Sequence, residues 1–122
     1  MVRQWVDDAD AVATSIIAFV EARAAFARRH REKRISSGAH ARLVSVFAAD
    51  WDRYLVLEAT QPLMRLAGRL AATHALRAYD AIHLASAKIL REKLAEPVSF
   101  VSSDARLVFA ARKETLQVIP LN

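Results

Sequence analysis

The stretch LRAYDAIHLASAKIL, residues 76–90, decides the fold because its apolar residues recur with the spacing of a buried helix. Leu76 and Leu84 flank Asp80 at minus four and plus four, so an acidic side chain lies among leucine, isoleucine and alanine. An isolated carboxylate is costly in such surroundings unless a cation, a metal or several hydrogen-bond donors compensate it. The stretch therefore predicts a core helix with a specific reason to keep Asp80.

Segments with the patterns of strands and helices alternate on both sides of this helix. Four apolar or β-branched segments read as strands: Ala11–Ile17, Tyr54–Ala59, Val98–Ser102 and Gln117–Leu121. The intervals between them have helical patterns. One helix runs from Ala18 toward Arg34, a second has its apolar stripe from Leu43 to Trp51, a third starts at Thr60 and a fourth spans Ala105–Glu114. Val2–Asp10 resembles the tail of another helix. The alternation predicts an α/β fold with a largely parallel sheet and helices on its faces.

Capping residues mark the predicted helix starts. Ser36 or Ser37 can cap the second helix, and Thr60 can cap the third. Pro62 falls in the first turn of that third helix, where its missing N–H costs nothing. Asp104, between a strand and a helix, has the usual position of an N-cap.

Length and composition limit the class of protein. The 122 residues fit one domain, and 54% hydrophobic and 25% charged residues are typical of a globular chain. The lack of cysteine excludes disulfides and thiolate metal sites. The longest apolar run, Ala11–Val20, is too short to span a bilayer, and the nearby acids are unlike a secretory signal. We therefore expect a soluble, cytoplasmic protein without membrane contact.

The net charge of +5 leaves two interpretations open. A basic surface attracts polyanions such as RNA, DNA or an acidic protein. It can equally serve solubility alone. The same alternatives apply to the cationic segment Arg28–Arg34. It can bind RNA phosphates, bind an acidic partner protein, or simply be a solvated helix end.

Three acids are expected near the carboxyl ends of the strands, where ligands bind in parallel α/β sheets. Glu21 lies about one turn beyond the first strand, Asp104 directly follows the third, and Asp80 lies near the front of its helix. Each has a purely structural alternative: a partly exposed glutamate, an N-cap, and a first-turn aspartate stabilised by the helix dipole. His83 can share a metal with Asp80 or simply pack and form a hydrogen bond.

Converging carboxylates suit hard divalent cations. Mg²⁺ and Mn²⁺ take oxygen ligands and bind jointly to protein acids and substrate phosphates. Bound metal can activate a water and stabilise the leaving oxygen of a phosphodiester. On a cationic protein, this combination indicates a nuclease.

Three motifs give the sequence a resemblance to a known family. VATSIIAFVEARAAFAR, LRAYDAIHLASA and FVSSDARLVFAA resemble the PIN-domain ribonuclease toxins of bacterial toxin-antitoxin pairs, the VapC-like group, over about Val6 to Leu121. The resemblance implies a three-layer α/β/α fold and an endoribonuclease that depends on Mg²⁺ or Mn²⁺. Glu21, Asp80 and Asp104 match three of the family's four metal-binding acids, and Ser102 and Ser103 match small polar residues beside them. It also implies a homodimer and a cognate antitoxin that inserts into the active-site groove.

One departure from the family pattern concerns the amino terminus. Family members begin with a central strand that carries an aspartate, in a pattern like YLDSSALVKLY, whereas MVRQWVDDADAV resembles a stretch some way into that pattern. We expect a single PIN-like domain over residues 1–122, truncated relative to the family, with its reading frame beginning upstream. The alternatives are a partner chain that fills the gap or a degenerate remnant.

Two further functions compete with the ribonuclease. A catalytically incomplete PIN-like module would still dimerise or bind an antitoxin without hydrolysing RNA. A basic DNA-binding regulator is the weaker alternative, since the sequence contains no recognition-helix pattern.

Overall fold

The computed structural model describes residues 12–95 and 97–120 as short strands alternating with longer helices. The strands are β1 (Ala13–Ser15), β2 (Leu55–Leu57), β3 (Ser99–Ser102) and β4 (Gln117–Pro120). The helices are α1 (Ile17–Arg31), α2 (Ser37–Trp51), α3 (Gln61–His74), α4 (Ala78–Leu94) and α5 (Ala105–Lys113). The predicted helix tail Val2–Asp10 lies outside the described residues. The predicted α/β alternation is confirmed.

The predicted caps form at three helix starts. Ser36 accepts a hydrogen bond from the Ala39 N–H at 3.0 Å, and Thr60 accepts one from the Leu63 N–H at 3.3 Å. Pro62 occupies the first turn of α3. Asp104 caps α5. Local side-chain chemistry therefore fixes where these helices begin.

The strands pair in parallel, as predicted, but they are shorter than the sequence patterns. β1 pairs with β2 from Ala13 opposite Leu55, and β3 pairs with β4 from Ser99 opposite Gln117. Within the described residues these are two separate two-stranded sheets. The predicted first strand ran to Ile17, but Ile17 begins α1, since the Ile16 N–H makes the last bond to Leu57 and the Ile16 carbonyl starts the helix.

The core lies around α4 and not around the first two helices. Leu84 and Ala85 of α4 are fully buried, and side chains of α3, α5 and β3 surround them. The surrounding set comprises Leu63, Ala67, Leu70, Phe100, Leu107, Ala110 and Ala111. The stretch 76–90 is therefore the central helix of the core, as predicted from its periodicity.

Helices α1 and α2 form a hairpin that packs mainly through aromatic rings. No residue of either helix is fully buried. The ring centroids of Phe19 and Trp51 lie 5.2 Å apart, and those of Phe26 and Phe47 lie 5.8 Å apart, both in edge-on arrangements. Such offset and edge-on contacts hold aromatic pairs together. This hairpin carries Glu21 and the cationic end of α1.

No helix in residues 12–95 and 97–120 combines the length and apolar content needed to cross a membrane.

Candidate active site

The negative charge of Asp80, in a largely apolar helix, is compensated by two positive groups, the N-terminus of α4 and Arg77. Asp80 lies in the first turn of α4, where the helix dipole stabilises a carboxylate by about 0.3–1 kcal/mol. Its side chain is only 14% exposed, and its Oδ2 accepts a hydrogen bond from Arg77 Nε at 3.2 Å. Asp80 thus has the first-turn position that the structural alternative requires, and a specific cation, Arg77, lies beside it.

Asp104 uses its two carboxylate oxygens differently. Oδ1 accepts a hydrogen bond from the Leu107 N–H at 3.0 Å, which caps α5. Oδ2 lies 3.8 Å from Arg77 Nη2. The Asp104 N–H donates to Ser102 Oγ at 3.1 Å, which fixes the turn between β3 and α5. Capping thus orients Asp104 without consuming the oxygen that faces Arg77.

Arg77 therefore connects two acids that are distant in sequence. Different nitrogens of its guanidinium approach Asp80 and Asp104, so both contacts exist at the same time. We call these three residues the Arg77 cluster. One cation beside two carboxylates leaves one negative charge uncompensated in a chain whose net charge is +5.

Glu21 reaches the same helix through a histidine. Its Oε1 lies 2.5 Å from His83 Nε2, within a short hydrogen bond. His83 follows Asp80 by three residues, and residues three apart on a helix share a face. The packed and hydrogen-bonded interpretation of His83 is the one observed. The N-cap residue and the first two turns of α4 thus place partners of Asp104 and Glu21 near Asp80.

Asp80 and Asp104 share Arg77 as a partner, whereas Glu21 contacts α4 separately, through His83. In the described parts of the chain, no three His, Asp or Glu side chains converge closely enough to hold one metal ion. That Glu21, Asp80 and Asp104 bind a metal therefore stays a prediction. Their donor chemistry fits Mg²⁺ or Mn²⁺, because all three offer carboxylate oxygens. The guanidinium shared by Asp80 and Asp104 places both carboxylates beside one positive group.

Sequence reasoning missed the role of Arg77, although a signal was present. Arg77 precedes Asp80 by three residues, the spacing at which opposite charges pair at a helix start. Its contact with Asp104 had no such signal, because 27 residues separate the two positions.

A second ion cluster was also missed, and it lies toward the other end of α4. Glu114, just after α5, forms an ion pair with Lys88 and a 2.6 Å hydrogen bond with His74. We call these three residues the Glu114 cluster. The Lys88 contact, followed by the His74 contact, holds the pKa of the Glu114 carboxyl below its ordinary value, although burial opposes the shift. No local pattern links residues 74, 88 and 114.

Comparisons with known proteins agree with the motifs. A model of the PIN domain matches residues 1–113. Two similar proteins are Ribonuclease VapC45 and Ribonuclease VapC49, from the CDC 1551 / Oshkosh and ATCC 25618 / H37Rv strains of Mycobacterium tuberculosis. Each is 37% identical over 81 residues, which cover 66% of this chain and 56% of the relative. The match thus spans little more than half of the relatives' length. Because the domain model covers most of the sequence, the chain belongs to the PIN domain family.

Proposed function

We propose that the protein is a VapC-like endoribonuclease toxin that depends on Mg²⁺ or Mn²⁺ and acts in the cytoplasm. The observation that carries the proposal is the Arg77 cluster, in which acids from the first turn of α4 and from the N-cap of α5 share one cation. Membership in the PIN domain family and similarity to two proteins named ribonucleases support the same reaction. A homodimer and a cognate antitoxin are further parts of this proposal.

The proposed roles follow from how each acid is held. Asp80 and Asp104 would hold the cation, because both already direct an oxygen toward a positive group. Glu21 would complete the site, with His83 fixing its carboxylate through Oε1. We assign Glu21 Oε2 to orienting the attacking water. The bound cation would supply acidification of that water and stabilisation of charge on the phosphate.

A cationic helix end on the same hairpin suits the RNA backbone. Residues 28–31 are three arginines and a histidine in the last turn of α1. Arg28 follows Glu21 by two helical turns, so it lies on the same face about 10 Å away. On this face the residues three and four positions after Glu21 are Ala24 and Ala25, whose small, exposed side chains leave room for an RNA strand to approach. An acidic segment of an antitoxin is the alternative ligand for this surface.

The test compares cleavage of a structured RNA in Mn²⁺ by the parent chain, Asp80→Asn and Asp52→Asn. We expect Asp80→Asn to lower kcat/KM at least 100-fold, roughly the upper limit for residues that only support metal ligands. Asp52 is an exposed residue at the end of α2 and serves as the isosteric control. The site assignment is wrong if Asp80→Asn cleaves as well as the control.

A catalytically incomplete PIN-like module is the second candidate. One observation favours it, namely that Arg77 and His83 already pair with all three acids. A parent chain that binds its partner or dimerises but leaves RNA intact would support this candidate. Calorimetric titration with Mn²⁺ separates the two, since micromolar binding that depends on Asp80 is expected only of the enzyme.

A further inference from the structure

Arg77 has the geometry of an internal counter-ion. Its Nε lies 3.2 Å from Asp80 Oδ2, and its Nη2 lies 3.8 Å from Asp104 Oδ2. The guanidinium therefore lies between the two carboxylates to which the proposed function assigns a divalent cation. We propose that Arg77 holds this pair in the metal-free protein and that a divalent cation must displace it to bind. The inference rests on the proposed function.

The contacts of Arg77 are weak enough for displacement. The Arg77 side chain is 64% exposed, so water screens its attraction to both acids. Its distance to Asp104 exceeds that of a hydrogen bond. A divalent cation carries twice the charge and approaches carboxylate oxygens to roughly 2.0–2.2 Å. Coulomb attraction increases with charge and with proximity, so the metal ion outcompetes the guanidinium.

The side chain can leave without disturbing α4. Arg77 is the N-cap residue of α4, and its extended backbone lies outside the helix. Its side chain makes no capping hydrogen bond. The guanidinium carbon already lies 4.9 Å from the centre of the Tyr79 ring, and Tyr79 is exposed. A cation–π contact with this ring can stabilise the displaced guanidinium at the rim of the site.

Displacement has a measurable cost for metal binding. Because the metal must break two ion pairs before it binds, Arg77 weakens the metal affinity of the parent chain. Removing the positive charge should strengthen Mn²⁺ binding, whereas removing a ligand should weaken it. The two kinds of variant therefore move the dissociation constant in opposite directions.

The experiment measures the Kd of Mn²⁺ by calorimetry, at low ionic strength, for the parent, Arg77→Gln, Arg106→Gln and Asp80→Asn. We expect Arg77→Gln to bind about three- to tenfold more tightly, the loss of two partly screened pairs. Arg106 is the matched control, because it is exposed and bonds a backbone carbonyl, that of Ala75, at 3.4 Å. Its substitution removes the same charge without breaking an ion pair to either acid, so it should tighten Mn²⁺ binding less than Arg77→Gln does.

Each outcome decides between the two proposals. If Arg77→Gln matches the parent or binds more weakly while Asp80→Asn loses binding, the metal site stands and the counter-ion role is overturned. If Arg106→Gln tightens binding as much as Arg77→Gln, net charge is the cause and the counter-ion role is again overturned. If Asp80→Asn binds like the parent, or if no variant binds Mn²⁺, the proposed site fails and the inference fails with it.

Discussion

The two ion clusters beside α4 have opposite stoichiometry. In the Glu114 cluster one carboxylate is shared by Lys88 and His74, whereas in the Arg77 cluster one cation is shared by two carboxylates. The members of the first cluster are at most 19% exposed, while Arg77 is 64% exposed. The first cluster has its charges matched within the fold, and the second keeps one negative charge unmatched beside an exposed arginine. The contrast separates a cluster that stabilises the fold from the cluster to which the proposed function assigns a cation.

Of the substitutions that test this contrast, removal of the shared Glu114 carboxylate should change the stability most. Glu114→Gln should lower the free energy of unfolding by about 2–3 kcal/mol, because Lys88 and His74 are left largely buried without their anion. Urea unfolding at neutral pH measures the change. RNA cleavage per folded molecule should remain at the parent level.

Asp80→Asn is the matched carboxylate-to-amide control for this measurement. It loses a screened ion pair and a dipole interaction, so we expect a change of about 1 kcal/mol or less. Equal losses of stability from the two substitutions would break the distinction between the clusters.

Acid titration should separate the clusters in the same way. The folded pKa of Glu114 is lowered, so its contribution to stability is present above the unfolded value of about 4.3 and is lost as the pH falls through the lower folded value. Urea unfolding from pH 6 to pH 3 should show a steeper loss of stability for the parent than for Glu114→Gln. Curves of identical slope would contradict the role assigned to this carboxyl.

The smallest expected effect concerns the proposed contact between RNA phosphates and the cationic end of α1. Arg28→Gln should raise KM for RNA a few-fold and reduce the salt dependence of log K by about one unit, as expected for one lost phosphate contact. Arg23→Gln is the matched control, because Arg23 is exposed on the opposite side of α1 from Glu21. Equal effects of the two substitutions would indicate net charge and not a track along α1.

Features with a local cause could be predicted from the sequence. The caps at Thr60 and Asp104 and the core role of residues 76–90 depend on neighbours within one or two turns, and the structure confirms them. The strand lengths were overestimated, because β-branched residues such as Ile17 can begin a helix once backbone pairing ends.

The ion pairs could not be predicted in this way, since most of them join residues far apart along the chain. Glu114 lies 40 residues from His74, and Glu21 lies 62 residues from His83. Sequence patterns report periodicity and local chemistry, and neither specifies which distant charges meet. The three acids could be nominated from their positions relative to predicted strands, but their immediate partners could not.

The loosely packed α1–α2 hairpin carries one of the three acids, while the core helix α4 and the junction of β3 with α5 carry the other two. Segments with few buried contacts open locally at a lower free energy than the core, and amide hydrogen exchange detects such opening. Fluctuations of the hairpin would therefore withdraw Glu21 while Asp80 and Asp104 stay in position. Assembly of the proposed three-acid site would thereby be linked to the local folding equilibrium of α1, and any ligand that contacts all three acids would slow the exchange of the α1 amides.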